Sequence, residues 1–271
     1  MLPQALEEFE LALQGSVTHL NPLEAIVKTH IIMGQEQKAI EKLHARLAAN
    51  ADDVLASAFL GQIYAARNDK IKALEYFDNA MKQGSWDSPY ISASIVHLSN
   101  QDIKSALSVL EKGAAKISNP ASIQMQMASI YEGQKDFDKA ITMYEKIVNV
   151  SSSNQMAANN LASLLLDHRS DVQSAKRALE LTNGFDKTKH PAAMDTLGWA
   201  LFKNNDVAKA ISILEEVTRM EPDVGVFQYH LGMAYHQAGD KVNAKRYLSM
   251  AVASKQNYPG KGKAKETLGK L

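Results

Sequence analysis

The sequence predicts an all-α fold, a solenoid of antiparallel helix pairs, and three observations carry that prediction. An alanine recurs in one setting at Ala5, Ala39, Ala73, Ala106, Ala140, Ala175, Ala210 and Ala244, at intervals of 33 to 35 residues. Four residues later stands a bulky side chain: Phe9, Leu43, Phe77, Leu110, Tyr144, Leu179, Leu214 or Leu248. Within each interval apolar residues recur three and four apart, the period of an amphipathic helix. A period in the thirties is the signature of stacked two-helix units.

Each element of a unit has a local cause. Four residues before the alanine lies Asp69, Asp102, Asp136, Asp171, Asp206 or Asp240, placed to cap the second helix by accepting its orphan amide bonds. Twelve residues before it the chain is small, at Gly61, Ser94, Ala128, Gly198 and Gly232. Glycine in a helix interior costs about 1 kcal/mol relative to alanine, so Gly198 implies a close helix crossing where a side chain would hold two backbones apart. Glu221-Pro222 ends a second helix. These columns place units at 20–53, 54–86, 87–120, 121–154, 155–190, 191–224 and 225–258. "NNLASLLLDHRSD" is one residue longer before its second helix, and "NGFDKTKHP" adds another in the next loop. Val27 and Arg46 depart from the small columns of the first unit. Residues 1–19, with Ala5, Phe9 and Ala12, read as the second helix of a truncated unit in a longer array, or as a native capping helix. Residues 259–271 read as a loop and a short lysine-rich capping helix.

With 45% apolar and 22% charged residues the chain can bury a core. Thirty basic and thirty acidic residues cancel, which argues against a nucleic-acid partner. The absence of cysteine excludes disulfides, thiolate metal sites and cysteine nucleophiles. No apolar run reaches a membrane span and no signal peptide is visible, so direct membrane insertion is not expected.

"TLGWALFKNNDVAKAISILEEVTRMEP" and "YHLGMAYHQAGDKVNAKRYLSMAV" resemble the tetratricopeptide repeat (TPR) in their succession of leucine-glycine, tyrosine or leucine, alanine, bulky residue, small residue and proline. The resemblance covers almost the whole chain. It implies a right-handed superhelix whose first helices line a concave groove. The same text is similar to long TPR lipoproteins of bacterial exopolysaccharide and PEP-CTERM (exosortase) systems. That likeness implies a periplasmic protein; without it the cytoplasm is the expectation.

Chemistry is not expected. His230 and His236 stand six apart, which does not place two ligands side by side, and no acidic residue adjoins them at ligand spacing. His30 and His97 share a column with Tyr64, Tyr131 and Tyr235, so packing accounts for them. "PGKGKAKET" lacks the spacing of a phosphate loop, and Lys255, Lys261, Lys263, Lys265 and Lys270 read as a solvated end. No metal, cofactor or catalytic residue is assigned.

The groove columns lie about eight, eleven, fourteen and fifteen residues before the alanine, one more in the unit that is longer before its second helix. In the C-terminal half they give Asn159, Asn160, Ser163, Asp195, Thr196, Trp199, Phe202, Tyr229, His230, Met233 and His236 as candidate partner-binding residues. In the N-terminal half they mix apolar and polar residues (Lys28, Phe59, Gln62, Ile91, Ile95, Leu98, Met125) and point to no ligand. Some TPR modules hold a C-terminal carboxylate with paired lysine and asparagine. Only Lys28 and Asn160 match such positions here, in distant units, so no carboxylate clamp is expected. The leading expectation is a non-catalytic scaffold that binds a protein or peptide in the groove, with Trp199 either an anchor or, with Phe202, packed against the neighbouring unit or covered by a long terminal segment. The alternatives are a self-assembling scaffold joined through the half-unit at Ala5–Ala12, and a regulatory region of a larger enzyme.

Overall fold

The computed structural model describes residues 2–15, 20–83 and 86–271, and among them it is all helical, without a strand. The chain divides into two compact units, residues 1–130 and 131–271. The first holds α1 (Leu2–Gly15), α2 (Leu20–Ile32), α3 (Glu36–Ala49), α4 (Val54–Ala66), α5 (Lys70–Gln83), α6 (Ser88–Ser99), α7 (Ile103–Lys116) and most of α8 (Ala121–Gly133). The second continues with α9 (Phe137–Val150), α10 (Gln155–His168), α11 (Val172–Leu181), a 3-10 turn at Phe185–Lys187, α12 (Pro191–Lys203) and α13 (Val207–Met220). It ends with α14 (Gly225–Ala238), α15 (Lys241–Ala253) and α16 (Lys261–Leu268). No described helix is long and apolar enough to cross a membrane. The side chain of Ala12 and residues 16–19 lie outside the described residues.

Helices pair because small residues let them. Ala39, Ala73, Ala106, Ala140, Ala210 and Ala244 are fully buried, and so, within a few per cent, are the bulky residues four positions on. The glycine column faces those bulky residues rather than the alanines. A Cβ on Gly198 would stand 2.7 Å from Leu214 Cγ, and one on Gly61 2.6 Å from the Phe77 ring. On Gly232 it would meet Leu248 Cγ at 2.8 Å and the Leu248 backbone nitrogen at 3.0 Å. The missing side chain is thus the socket for the partner helix's largest residue.

The turn inside a pair is a second repeated device. Gly34, Asn68, Gln101, Lys135, Asn205 and Gly239 all take positive φ. Each donates its N–H three residues back, as Asn205 does to Phe202, and the next residue donates five back, as Asp206 does to Leu201. This is a Schellman motif, which satisfies the last carbonyls of the first helix. The second helix then starts on the aspartate. Asp69, Asp102, Asp136, Asp171 and Asp240 each accept from the amide three residues on. Asp206 differs from expectation: it makes no such cap, and its carboxylate turns to Lys209 Nζ at 2.9 Å.

The fifth pair, α10 and α11, breaks the pattern. Arg169 is extended after α10, and no left-handed residue precedes Asp171. Here Ala178 and Thr182 are fully buried, whereas Ala175 and Leu179 are half-buried. The buried column of α11 thus lies three residues further along than in the other second helices. Ala5 and Phe9 on α1 are likewise half-buried rather than buried.

Two outcomes follow from this packing. Gly198→Ala gains helix propensity yet overlaps Leu214; overpacking of this kind costs typically about 1–3 kcal/mol. Urea unfolding therefore shows a net loss of stability, and adding Leu214→Ala to Gly198→Ala costs less than the two single losses summed.

The caps set a pH dependence. Hydrogen bonds from Ser105, Lys139, Ser174 and Asn243 hold Asp102, Asp136, Asp171 and Asp240 below the ordinary aspartate value of 3.8. A lowered folded pKa contributes stability that is present above 3.8 and lost as pH falls through the folded value. The urea midpoint accordingly drops on acidification below about pH 4, and changing the four residues to asparagine flattens that drop.

Candidate functional site

The faces of α10, α12 and α14 are brought together in the second unit, where α10 lies against α12 and α12 against α14. Asp195, Thr196, Trp199 and Phe202 share one face of α12, spaced one, four and seven apart; Tyr229, His230, Met233 and His236 repeat that spacing on α14. They do not form one open surface. Trp199 is only 5% exposed, and Asp195, Thr196, Tyr229 and His230 are as deeply buried. Asn159, Asn160, Ser163, Phe202 and Met233 are half-buried, and His236 is exposed.

The buried members make a platform. His230 Nδ1 lies 3.0 and 2.9 Å from the two Asp195 carboxylate oxygens. An ionised carboxylate only accepts, so Nδ1–H donates and the imidazole is fixed in orientation. The indole of Trp199 stacks on His230 at 4.1 Å and on Phe202 at 4.6 Å. Lys203 Nζ sits 5.0 Å from the indole centroid, within cation–π range. Tyr229 leans on Trp199 at 5.5 Å and on Tyr258 at 5.9 Å. Burial, then the nearby Asp167 and Tyr258, pushes the Tyr229 hydroxyl up to about 12. Of the alternatives for Trp199, a groove anchor or a ring packed against the neighbouring unit, the geometry matches the second: the ring lies at the crossing of α12 and α14, leaving Phe202 and Met233 half-buried.

Sequence reasoning found no acid beside His230 because it looked along one helix. Asp195 comes from the helix one unit earlier, 35 residues away. It also missed Asp167 and Lys203, each four residues past a chosen position (Ser163 and Trp199), hence one turn further on the same face. Desolvation raises the Asp167 pKa, opposed by His230, His168 and Lys203 and reinforced by Asp195. Among the described residues no group of three or more histidine or carboxylate side chains is placed to hold a metal.

On α10 the amides take different partners. Asn160 Nδ2 donates to the Tyr144 hydroxyl at 3.1 Å, and that hydroxyl donates to Glu132 Oε1 at 2.6 Å. Burial raises the Tyr144 pKa further than Asn160 lowers it. Asn159 Oδ1 is buried with no donor among the described residues, as Trp199 Nε1 is without an acceptor. Asn159 faces a cavity of about 550 Å³ lined also by Gln155, Met156, Asn160, Thr188, His190 and Ala193. The longer loop before α12 builds its far wall: Thr188 Oγ1 donates to Phe185 O at 2.7 Å and accepts from His190 N at 3.2 Å. A depression of about 660 Å³ over α11, α12 and α13 includes Glu180 and Lys209, which pair with Arg177 and Asp206.

Models of the tetratricopeptide repeat match residues 121–154 and 196–260. The chain carries tetratricopeptide repeats in these two stretches. No curated protein matches it. Among solved structures it is similar to PilF of Pseudomonas aeruginosa, at 16% identity and TM-score 0.55 over 80% of this chain and 96% of that one. It is similar to MamA (41-end) of Desulfovibrio magneticus RS-1, at 20% identity and TM-score 0.51 over 60% and 90%. The Cut9–Hcn1 hetero-tetramer of the APC/C matches at 14% identity and TM-score 0.55 over 99% of this chain and 52% of that one. At such identities the likeness is one of fold, here stacked helix pairs.

The platform has a testable energetic character. Asp195→Leu strips His230 of its acceptor and leaves a buried donor unpaired, a loss of about 1–3 kcal/mol. Asp195→Leu with His230→Phe removes both polar groups, so the double variant unfolds at higher urea than Asp195→Leu alone.

Proposed function

We propose that the chain is a non-catalytic scaffold that binds a partner peptide or protein along the faces of α10, α12 and α14. The observation carrying this reading is the buried Asp195–His230–Trp199 platform beneath the half-buried Phe202 and Met233. A surface whose supporting rotamers are already locked loses less entropy when a partner docks. Phe202 and Met233 offer apolar contact, and His236 stands exposed at the edge. The seven-unit division belongs to the same reading. The resemblance to TPR lipoproteins supports a partner from exopolysaccharide export or surface-protein sorting.

Phe202→Ala with Met233→Ala tests the face without disturbing the platform. Affinity-purified partners from the source organism, identified by mass spectrometry and re-bound in pure form, are expected to bind this variant at least about tenfold more weakly. Equal affinity for every partner, at unchanged thermal stability, removes the assignment of this face.

A further inference from the structure

The platform leaves hydrogen-bond acceptors unused at its margin. His230 is only 6% exposed, and its Nδ1–H is committed to Asp195. The neutral ring then carries its lone pair on Nε2. That nitrogen has no partner among the described residues and, unlike both ring nitrogens of His30, is not sealed from solvent. The hydroxyl of Tyr229, a side chain as deeply buried, is in the same state: it makes no hydrogen bond among the described residues, and solvent reaches it. Asp167 is exposed and makes no hydrogen bond or ion pair among the described residues.

The three groups belong to one place. Tyr229 and His230 hold their rings 5.3 Å apart, and the charge of Asp167 acts on both, as well as on Lys203 and Asp195. Lys203 does not neutralise it: Nζ makes no ion pair among the described residues and lies over the Trp199 ring instead. Asp167 and Asp195 against Lys203 leave the site negative. Half-buried Phe202, stacked on Trp199, adds an aromatic face.

A negative site with acceptors on three side chains calls for a cation that carries several donors. A phosphate or carboxylate would meet the charge of Asp167 and the lone pair of His230. An ammonium presents its donors from one point, whereas a guanidinium spreads them over a plane, pairs with a carboxylate through two parallel bonds and stacks on aromatic rings. We propose that Asp167, His230 Nε2 and the Tyr229 hydroxyl form a subsite for an arginine side chain of the partner, with Phe202 against the guanidinium plane. The proposal rests on the scaffold reading above and deepens it by stating which side chain the partner inserts.

The probe is N-acetyl-L-arginine N-methylamide, titrated into the full chain while the Trp199 indole and Tyr229 ring resonances are followed by NMR. Both are expected to shift and saturate. The citrulline analogue, which keeps the shape and loses the charge, is expected to bind at least about fivefold more weakly, as is the lysine analogue. Asp167→Asn is expected to weaken the arginine probe at least about fivefold, and Tyr229→Phe at least about twofold. Neither change removes a hydrogen bond made within the described chain, so both variants keep the wild-type thermal unfolding, which circular dichroism checks. The proposal is overturned by unshifted resonances, by citrulline or lysine binding as tightly as arginine, or by either variant binding the probe unchanged. If Phe202→Ala with Met233→Ala abolishes partner binding while Asp167→Asn alters neither partner nor probe, the subsite falls and the scaffold reading stands.

Discussion

Close approach of two helix backbones, made possible by a missing side chain, is the constraint on which the rest depends. At Gly61, Gly198 and Gly232 the first helix has no Cβ, and Phe77, Leu214 or Leu248 of the second helix occupies that space. The interlock is steric and so it fixes register as well as distance. It also sets which residues of the first helix point away from its partner. The Schellman turns and aspartate caps then satisfy the helix ends that such a tight pairing creates.

That geometry explains the platform in the second unit. With α12 and α14 held against their own partners, Asp195 of one and His230 of the other come within hydrogen-bond distance, and Trp199 lies flat over the imidazole. A buried ionisable pair is weak evidence for stability but a demanding geometric requirement. It fixes the relation between successive first helices more tightly than apolar packing alone would. The surface then inherits that order, and Phe202 and Met233 project from a base that does not need to rearrange.

Much of this was legible in the sequence because repetition multiplies weak signals. A single glycine in a helix says little, but Gly61, Gly198 and Gly232 at one offset from a recurring alanine predicted a helix crossing. What was less legible depended on contacts across units. Asp195 and His230 are local strangers, and nothing in the spacing of one helix reveals that they meet. Trp199 stood in a groove column, yet ring stacking with His230 and Phe202 drew it inward. The left-handed turn residues were missed because Asn68, Gln101, Lys135 and Asn205 share a backbone conformation without sharing a residue type. The shifted buried column of α11 was not legible because Ala175 and Leu179 keep their offsets from Asp171 while Ala178 and Thr182 take the buried places.

Hydrogen exchange on Gly232→Ala addresses the central claim most directly, because the added methyl meets backbone as well as side chain at Leu248. If steric closeness within each pair orders everything built on it, amides of α14 and α15 exchange faster and the His230 Nδ1 proton bonded to Asp195 is no longer protected. Unchanged protection in both helices, with that proton still slow, would show that the crossing tolerates a side chain and that the platform owes its order to something else.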